Sequence, residues 1–153
     1  MNRSLLRNEL MRDEGVKLHA YKDSVGLWTI GVGHLLGMEQ RMAWITKAEM
    51  EALLEADIDE AEKLVRQLVP SFIYWAYGDP GGPGSSGPSE DARCRALVNM
   101  AFNLGPRLAQ FKIFLAAVNE QEWLAASQAM MLSKWAKQVG ARAERLRDMI
   151  LEG

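Results

Sequence analysis

The chain has 153 residues, of which 48% are hydrophobic and 25% charged, and its formal net charge is −2. This length and composition are those of an ordinary soluble globular protein, one domain long, that can bury a real core. The single cysteine, Cys94, excludes an internal disulfide, and together with only two histidines it leaves little material for a zinc site.

The first fifteen residues predict a short helix. Leu5, Leu6 and Leu10 repeat at helical spacing, and Gly15 is a natural helix end directly after Glu14. The start of the chain contains no apolar stretch long enough for a signal peptide or a membrane anchor. We therefore expect no export signal and no membrane insertion.

The next segment changes to the pattern of a small β-sheet. Large side chains alternate with small or polar ones over residues 28–34, which is the period of a strand. Residues 24–26 supply a turn, so we expect a small hairpin or a three-stranded sheet. Gly31 and Gly33 leave one face without side chains, where a ligand or another backbone can approach.

A long helix is predicted from Thr46 to just before Pro70. Thr46 and Glu49 have the spacing of a capping box, and the apolar residues after them keep a 3.6-residue period. At about 24 residues and about 36 Å, this helix could span two lobes with a cleft between them.

Beyond the long helix, the aromatic segment 72–77 predicts core packing or a loop cover, with a sticky partner surface as the alternative. Residues 78–89 are almost entirely Gly, Pro and Ser and predict a flexible loop.

The rest of the chain is predicted to be all helical. Glu90 and Asp91 are typical of a helix start, and that helix should end at Gly105-Pro106. Cys94 within it is interpreted as a small half-buried filler and not a nucleophile, because no histidine lies within helical reach. Four shorter helices are expected over residues 111–118, 122–131, 134–138 and about 141–152.

Charge is unevenly distributed along the chain. Residues 1–92 carry nine basic and fifteen acidic side chains, whereas residues 93–153 carry nine basic and five acidic ones. Such asymmetry predicts either a basic C-terminal face that attracts an anionic polymer or an ordinary solvated helical surface. Nucleic acid is disfavoured as a partner, since the chain has no dense basic run.

Glu14 and Asp23 form the most informative pair of acidic residues. They bracket a compact turn region, and Thr29 follows. Two carboxyl groups held close together can break a glycosidic bond, one as general acid and the other guiding water or stabilising charge on the sugar. Alternatively, Glu14 is a solvated acid at a helix end, Asp23 only forms an Asx-turn, and Thr29 is a plain strand residue.

The chain resembles the phage lysozymes (endolysins) of glycoside hydrolase family 24. Eight residues separate Glu14 from Asp23 and five separate Asp23 from Thr29, which is the catalytic spacing of that family. The likeness covers nearly the whole chain and is carried by three blocks, residues 13–35, residues 99–105, and residues 133–138 with Arg142 behind them.

This resemblance implies an α+β, mostly helical, two-lobed fold, in which a small sheet lobe is joined by a long helix to a helical lobe. We assign residues 13–60 to the first lobe, and residues 1–12 and 61–153 to the second. The implied reaction is hydrolysis of the β-1,4 bond between N-acetylmuramic acid and N-acetylglucosamine in peptidoglycan. Glu14 would be the general acid, while Asp23 and Thr29 would position water, with inversion as the usual outcome.

Further residues match family positions with secondary roles. Leu35 and Phe102 match positions that line the glycan cleft, and Arg142 matches a basic residue set near the catalytic acid. His34 and Asp57 match a structural ion pair. Two other cleft positions do not carry over, because Phe114 and Ala129 stand where the family has polar residues.

The resemblance also implies how such a protein would work in a cell. We expect a monomer with no metal or organic cofactor. It would accumulate in the host bacterial cytoplasm and reach the wall once a holin-type membrane partner opens the inner membrane. The aromatic segment and the Gly/Pro/Ser segment depart from the family pattern, which raises the hypothesis of an engineered or designed member.

Three functions stay open from the sequence. The resemblance favours a cell-wall-lysing glycosidase. The second is a catalytically silent peptidoglycan-binding module or designed binding scaffold. The third is a membrane-disrupting cationic helix, because the C-terminal segment is basic and amphipathic.

Overall fold

The computed structural model describes residues 1–37, 43–78 and 87–153. Most of them are helical, and a small antiparallel sheet lies near the N-terminus, which confirms the predicted α+β class. The helices are α1 (Arg3–Glu14), α2 (Lys47–Leu68), α3 (Phe72–Tyr77), α4 (Pro88–Leu104), α5 (Lys112–Asn119), α6 (Trp123–Met131), α7 (Lys134–Val139) and α8 (Ala141–Leu151), with a 3₁₀ helix over Gly105–Gln110. The strands are β1 (Lys17–Lys22), β2 (Trp28–Gly31) and β3 (His34–Gly37), in the order β1-β2-β3.

The chain divides into two compact units. One comprises Ser4–Glu60 and contains most of α1, the sheet and the first part of α2. The other comprises Met1–Arg3 and Ala61–Gly153. Residues 4–12 therefore group with the sheet, whereas the sequence-based division assigned them to the helical lobe.

Polar contacts explain why the first three residues belong to the helical unit. The N-terminal ammonium donates to the Ala76 carbonyl oxygen, and the Asn2 amide donates to the Asp91 carboxylate. Arg3 donates to buried Glu62 at 2.9 Å. These contacts hold the start of the chain on elements more than fifty residues away.

Helix α1 ends as the sequence predicts. Gly15 has φ +75°, and its amide donates to the Met11 carbonyl oxygen at 3.0 Å. This is the left-handed cap in which glycine avoids the Cβ clash of other residues. Leu6 and Leu10 are buried, and Glu14 is the last helical residue.

The three-stranded sheet is confirmed, but the alternating pattern over residues 28–34 does not form one strand. Strand β2 ends at Gly31, a turn occupies residues 32–33, and β3 begins at His34. Both Gly31 and Gly33 have positive φ, 67° and 71°. Two glycines in this conformation reverse the chain, a possibility that period-2 alternation does not reveal.

The long helix and the C-terminal helices lie close to their predicted positions. Helix α2 ends at Leu68, two residues before Pro70. The aromatic segment 72–77 is the short helix α3, with Phe72 and Ala76 buried, and not a loop cover. The predicted flexible loop over residues 78–89 lies mostly outside the described residues, and its end belongs to α4, which begins with Pro88.

Helix α4 is the centre of the helical unit. Four consecutive or near-consecutive residues are buried, so this helix is covered on every side over that stretch: Ala96, Leu97, Val98 and Met100.

Cys94, also on α4, is fully buried and not half-buried as we expected. Burial raises the pKa of the Cys94 thiol to about 12, so the sulfur stays protonated and unreactive at neutral pH.

Candidate active site

Glu14 lies where the last turn of α1 meets the turn between β2 and β3. Its side chain is half-buried, and its carboxyl group packs directly against Gly33. A Cβ atom on Gly33 would stand 3.3 Å from Oε2 of Glu14 and 3.5 Å from its Cδ atom. The bare face expected at this glycine is therefore occupied by the Glu14 carboxyl group.

Asp23 lies in the turn between β1 and β2, and backbone amides orient its side chain. Oδ1 of Asp23 accepts hydrogen bonds from the Val25 amide at 2.9 Å and the Leu27 amide at 2.8 Å. The backbone amide of Asp23 also donates to the Leu27 carbonyl oxygen at 2.9 Å. Asp23 therefore forms the Asx-turn that the alternative interpretation predicts. Its Oδ2 oxygen takes no part in that turn.

Thr29 is in the central strand and is only 4% exposed. It pairs with Tyr21 on β1 and with Leu35 on β3, so these three residues form a row across the sheet. Directly paired residues of antiparallel strands point to the same face. The Thr29 hydroxyl donates to the Leu27 carbonyl oxygen at 3.3 Å, which leaves its lone pairs as acceptors.

Tyr21 links the two acidic residues electrostatically. Burial raises the pKa of Tyr21, and the negative charges of Glu14 and Asp23 raise it further. Both carboxylates therefore act electrostatically on the same phenol group. The sequence indicated no role for Tyr21, although it stands only two residues before Asp23.

His34 and Asp57 contact each other within the same unit. Nδ1 of His34 lies 2.9 Å from Oδ2 of Asp57 and 3.0 Å from Oδ1. This is the pair that the resemblance implies, and it connects the start of β3 to α2. Because the contact joins two elements of the unit, it helps to fix the β2–β3 turn that contains Gly33.

The other residues predicted for the site are divided between the two units of the chain. Leu35 is exposed on β3, in the unit that holds Glu14, Asp23 and Thr29. Phe102, which is half-buried, and Arg142, which is buried, both belong to the helical unit.

Arg142 is held by Asn99, a residue for which the sequence indicated no role of its own. Nε of Arg142 donates to Oδ1 of Asn99 at 2.9 Å, and a terminal guanidinium nitrogen donates to the Asn99 carbonyl oxygen at 3.4 Å. Asn99 is itself fully buried on α4. A polar residue within an apolar stretch of a helix needs a hydrogen-bond partner when it is buried, and this is the sequence signal that points to Asn99.

Neither a cluster of metal ligands nor a membrane-spanning helix is found in the part of the chain that the structure describes. Across residues 1–37, 43–78 and 87–153, no three His, Cys, Asp or Glu side chains gather closely enough to hold a metal ion. In the same residues, every helix is too short or too polar to cross a membrane.

Comparison with known proteins identifies relatives along almost the whole chain. The phage lysozyme family model matches residues 11–76, which include the α1 end, the sheet and α2. A Dictyostelium discoideum protein named "Probable T4-type lysozyme 1" is 30% identical over 174 residues, covering 98% of this chain and 95% of the relative. The endolysin of Salmonella phage P22 is 29% identical over 129 residues, covering 82% of this chain and 77% of the relative.

Proposed function

The chain belongs to the phage lysozyme family and is a glycoside hydrolase, and from this premise we propose that Glu14, Asp23 and Thr29 carry the reaction. The substrate is the β-1,4 bond between N-acetylmuramic acid and N-acetylglucosamine in bacterial peptidoglycan. One observation supports this most strongly. Two carboxyl groups, one packed on Gly33 and one oriented by a turn, both raise the pKa of the same tyrosine, Tyr21.

Glu14 is the general acid of the proposed mechanism. Its carboxyl group donates a proton to the glycosidic oxygen as the bond to the sugar breaks. The contact with Gly33 limits the positions that this carboxyl group can take. A restricted acid loses less freedom when the sugar binds, which favours proton transfer.

Asp23 and Thr29 act on the attacking water. Oδ1 of Asp23 is occupied by two backbone amides, so Oδ2 is the oxygen that accepts a proton from water. The lone pairs of the Thr29 hydroxyl accept the second hydrogen of that water. The negative charge of Asp23 also stabilises the oxocarbenium-like transition state.

The proposed outcome is inversion at the anomeric carbon. An inverting enzyme needs about 6.5–9.5 Å between its two carboxyl groups, so that water fits between Asp23 and the sugar. Proton NMR of a cleaved oligosaccharide would show the α-anomer first. Initial appearance of the β-anomer would assign Asp23 the role of a covalent nucleophile instead.

Other residues have supporting roles in this proposal. From the family positions that they match, we assign glycan contacts to Leu35 and to Phe102, and a supporting role to Arg142, whose side chain Asn99 fixes. His34 and Asp57 hold the turn that carries Gly33.

We also infer how the protein meets its substrate. As a monomer, it remains in the host bacterial cytoplasm until a holin-type partner opens the inner membrane. The Salmonella phage relative is named an endolysin, which supports this course of events.

The test of the general acid is Glu14→Gln. The amide keeps the shape of the side chain but donates no proton to the leaving oxygen, so wall clearing should decrease by at least about a hundredfold. Release of reducing ends from purified peptidoglycan measures the loss. The melting temperature should stay near that of the parent, because the contact with Gly33 is preserved.

The matched control is Glu51→Gln, an exposed acid on α2 with only a 3.8 Å pairing to Lys47. It should keep parental activity. A Glu14→Gln variant that clears walls as well as the parent would exclude the acid role of Glu14. A parent that pellets with peptidoglycan and releases no reducing ends would favour the binding-module alternative.

A further inference from the structure

Trp44 is the most exposed tryptophan of the chain. It is 76% exposed, whereas Trp28, Trp75 and Trp123 are half-buried and Trp135 is buried. Tryptophan is highly buried on average, because its large apolar surface gains most from leaving water. A single exposed apolar side chain is common on protein surfaces. What distinguishes Trp44 is the way in which it is held and the face of the sheet that it occupies.

The backbone on both sides of Trp44 is fixed to strand β1. Trp44 forms an antiparallel bridge with His19. The Ala43 carbonyl oxygen accepts a hydrogen bond from β1 and the Ile45 amide donates one to it, each at 2.9 Å. Because these bonds flank the bridge, Trp44 and His19 form a non-hydrogen-bonded pair, the arrangement in which opposed side chains come closest. The sheet therefore places Trp44.

The side chain of Trp44 is oriented as well. The rings of Trp44 and His19 lie 5.3 Å apart between centroids, at an interplanar angle of 43°. This tilted contact restricts the indole but covers little of it, since most of Trp44 stays exposed. A side chain that is already oriented loses less conformational freedom when a ligand packs on it.

Trp44 and His19 lie on the same face of the sheet as Thr29. Side chains alternate along β1, which places Lys17, His19 and Tyr21 on one face. The ammonium group of Lys17 lies 3.9 Å from the Tyr21 ring centroid, so the alternation holds across that stretch although the register with β2 shifts there. Because Tyr21 pairs with Thr29, this is also the face of Thr29.

The Trp44–His19 pair lies at some distance from Thr29 on that face. His19 precedes Tyr21 by two residues, which is about 7 Å along the strand. Trp44 is on the far side of β1 from β2, two strand spacings or about 10 Å across the sheet from Thr29. A sugar ring that packs on Trp44 is then not the ring at the scissile bond but a more distant unit of the same strand.

We propose that the indole of Trp44, backed by His19, binds a sugar ring of the wall glycan away from the scissile bond, so that the enzyme favours long glycan strands. This inference rests on the proposed function, from which it takes the glycan as substrate. An exposed aromatic face suits a pyranose, whose axial C–H groups pack on the ring while its hydroxyl groups stay in water. A protein partner would need a much larger contact area than one indole offers.

A cation on the same face favours the wall polymer over an uncharged glycan. Lys17 is exposed, and its ammonium group is held at the Tyr21 ring. Peptidoglycan has carboxylates on its peptide stems, whereas chitin is a β-1,4 glycan of N-acetylated sugars without them. Attraction between Lys17 and a stem carboxylate acts within about 10 Å at 0.1 M salt.

The kinetic test compares short and long substrates. Reducing-end release gives kcat/KM for the shortest wall oligosaccharide that the parent cleaves and for long, uncross-linked glycan strands. Trp44→Ala should lower kcat/KM on long strands by about fivefold through a higher KM, and should leave the short substrate unaffected. Trp44→Phe keeps a ring and should restore part of the loss. An equal loss on both substrates, or no loss on long strands, would overturn the proposal.

Tyr74→Ala is the matched control. Tyr74 is an aromatic side chain of α3, 55% exposed, and it belongs to the other unit. This variant should cleave both substrates as the parent does. Since both rings are mostly exposed, neither Tyr74→Ala nor Trp44→Ala should shift the melting temperature by more than a few degrees. A comparable loss on long strands in Tyr74→Ala would contradict the assignment to Trp44.

Binding can be measured without turnover in Glu14→Gln. Long wall strands should shift the tryptophan fluorescence of Glu14→Gln to shorter wavelength, because the indole of Trp44 leaves water. The double variant Glu14→Gln/Trp44→Phe should lose most of this shift. A shift of equal size in the double variant would refute the contact with Trp44, as would tighter binding of uncharged chitin strands of the same length.

The glycan contact and the catalytic proposal can fail separately. A parent that releases no reducing ends but shows the Trp44-dependent fluorescence shift would refute only the proposed hydrolysis. A parent that cleaves long strands equally well with and without the Trp44 ring would refute only the contact with Trp44.

Discussion

At the scale of single residues, Gly33 has the largest consequence for the site. It allows the chain to reverse between β2 and β3, and it leaves room for the Glu14 carboxyl group. Either property alone would favour glycine. Both together mean that the turn and the proposed general acid depend on the same missing side chain.

Gly33→Ala should therefore reduce both stability and activity. The positive φ of 71° costs an L-residue about 1–2 kcal/mol, and the added methyl group would stand 3.3 Å from Oε2 of Glu14. We expect a lower melting temperature together with at least a tenfold loss in reducing-end release. Both measurements should be made below the melting temperature of the variant, so that unfolding does not contribute.

Gly37→Ala is the matched control for this variant. Gly37 has φ +102°, and a Cβ atom there would meet nothing within 4 Å. It should lower stability by a comparable amount and leave activity intact. Equal loss of activity in both variants would mean that backbone strain, and not the contact with Glu14, is responsible.

At the scale of elements, the start of α2 shows how side chains set a helix boundary. Oγ1 of Thr46 accepts from the Glu49 amide at 3.2 Å, and Oε2 of Glu49 accepts from the Thr46 amide at 2.7 Å. This reciprocal pair is the capping box that the sequence predicts. The hydrogen bond from the Thr46 amide and that from its hydroxyl lower the pKa of Glu49.

Thr46→Ala should destabilise the protein, because it removes the side chain that satisfies the first turn of α2. We expect a loss of about 1 kcal/mol in the free energy of unfolding, measured by urea denaturation followed by circular dichroism. Thr46→Ser keeps the hydroxyl group and should restore most of the stability. An alanine variant as stable as the parent would show that the cap contributes nothing in the folded protein.

At the scale of the whole molecule, stability should depend on a buried acidic residue in the helical unit. Glu62 is 2% exposed and receives hydrogen bonds from Arg3, Arg66 and Tyr77. Burial by itself would raise the pKa of Glu62, but the three donors outweigh burial, so the pKa is lowered from 4.5. A lowered folded pKa means that this contribution is present above pH about 4.5 and is lost as the pH falls through the folded value.

Glu62→Gln should reduce the acid dependence of stability. At neutral pH we expect a loss of about 2 kcal/mol, since hydrogen bonds to a charged acceptor are replaced by bonds to a neutral one. Melting temperatures between pH 3 and pH 7 should decrease less steeply on acidification than those of the parent. The exposed Glu152→Gln should reproduce the parental curve, and an equally steep curve for Glu62→Gln would contradict the assignment.

The sequence by itself determined those features that depend on neighbours along the chain. The spacing of Glu14, Asp23 and Thr29, the cap at Thr46 and the helix end at Gly15 are local, and so is the helical period of the C-terminal half. Each is set by residues within a few positions of one another, where backbone preference and hydrogen bonding are decided locally. For that reason the fold class and the family could be predicted from the sequence alone.

Only the tertiary structure decided contacts between residues that are distant in the chain. Nineteen positions separate Glu14 from Gly33, and forty-three separate Arg142 from Asn99. The aromatic segment 72–77 is a helix whose buried face packs in the helical unit, whereas its composition alone left core packing, a loop cover and a partner surface open. The pocket lined by Phe111, Phe114 and Trp135 likewise arises from several elements, and no single stretch of sequence contains it. Such contacts depend on how the packed elements approach one another in three dimensions, which periodicity within one element does not encode.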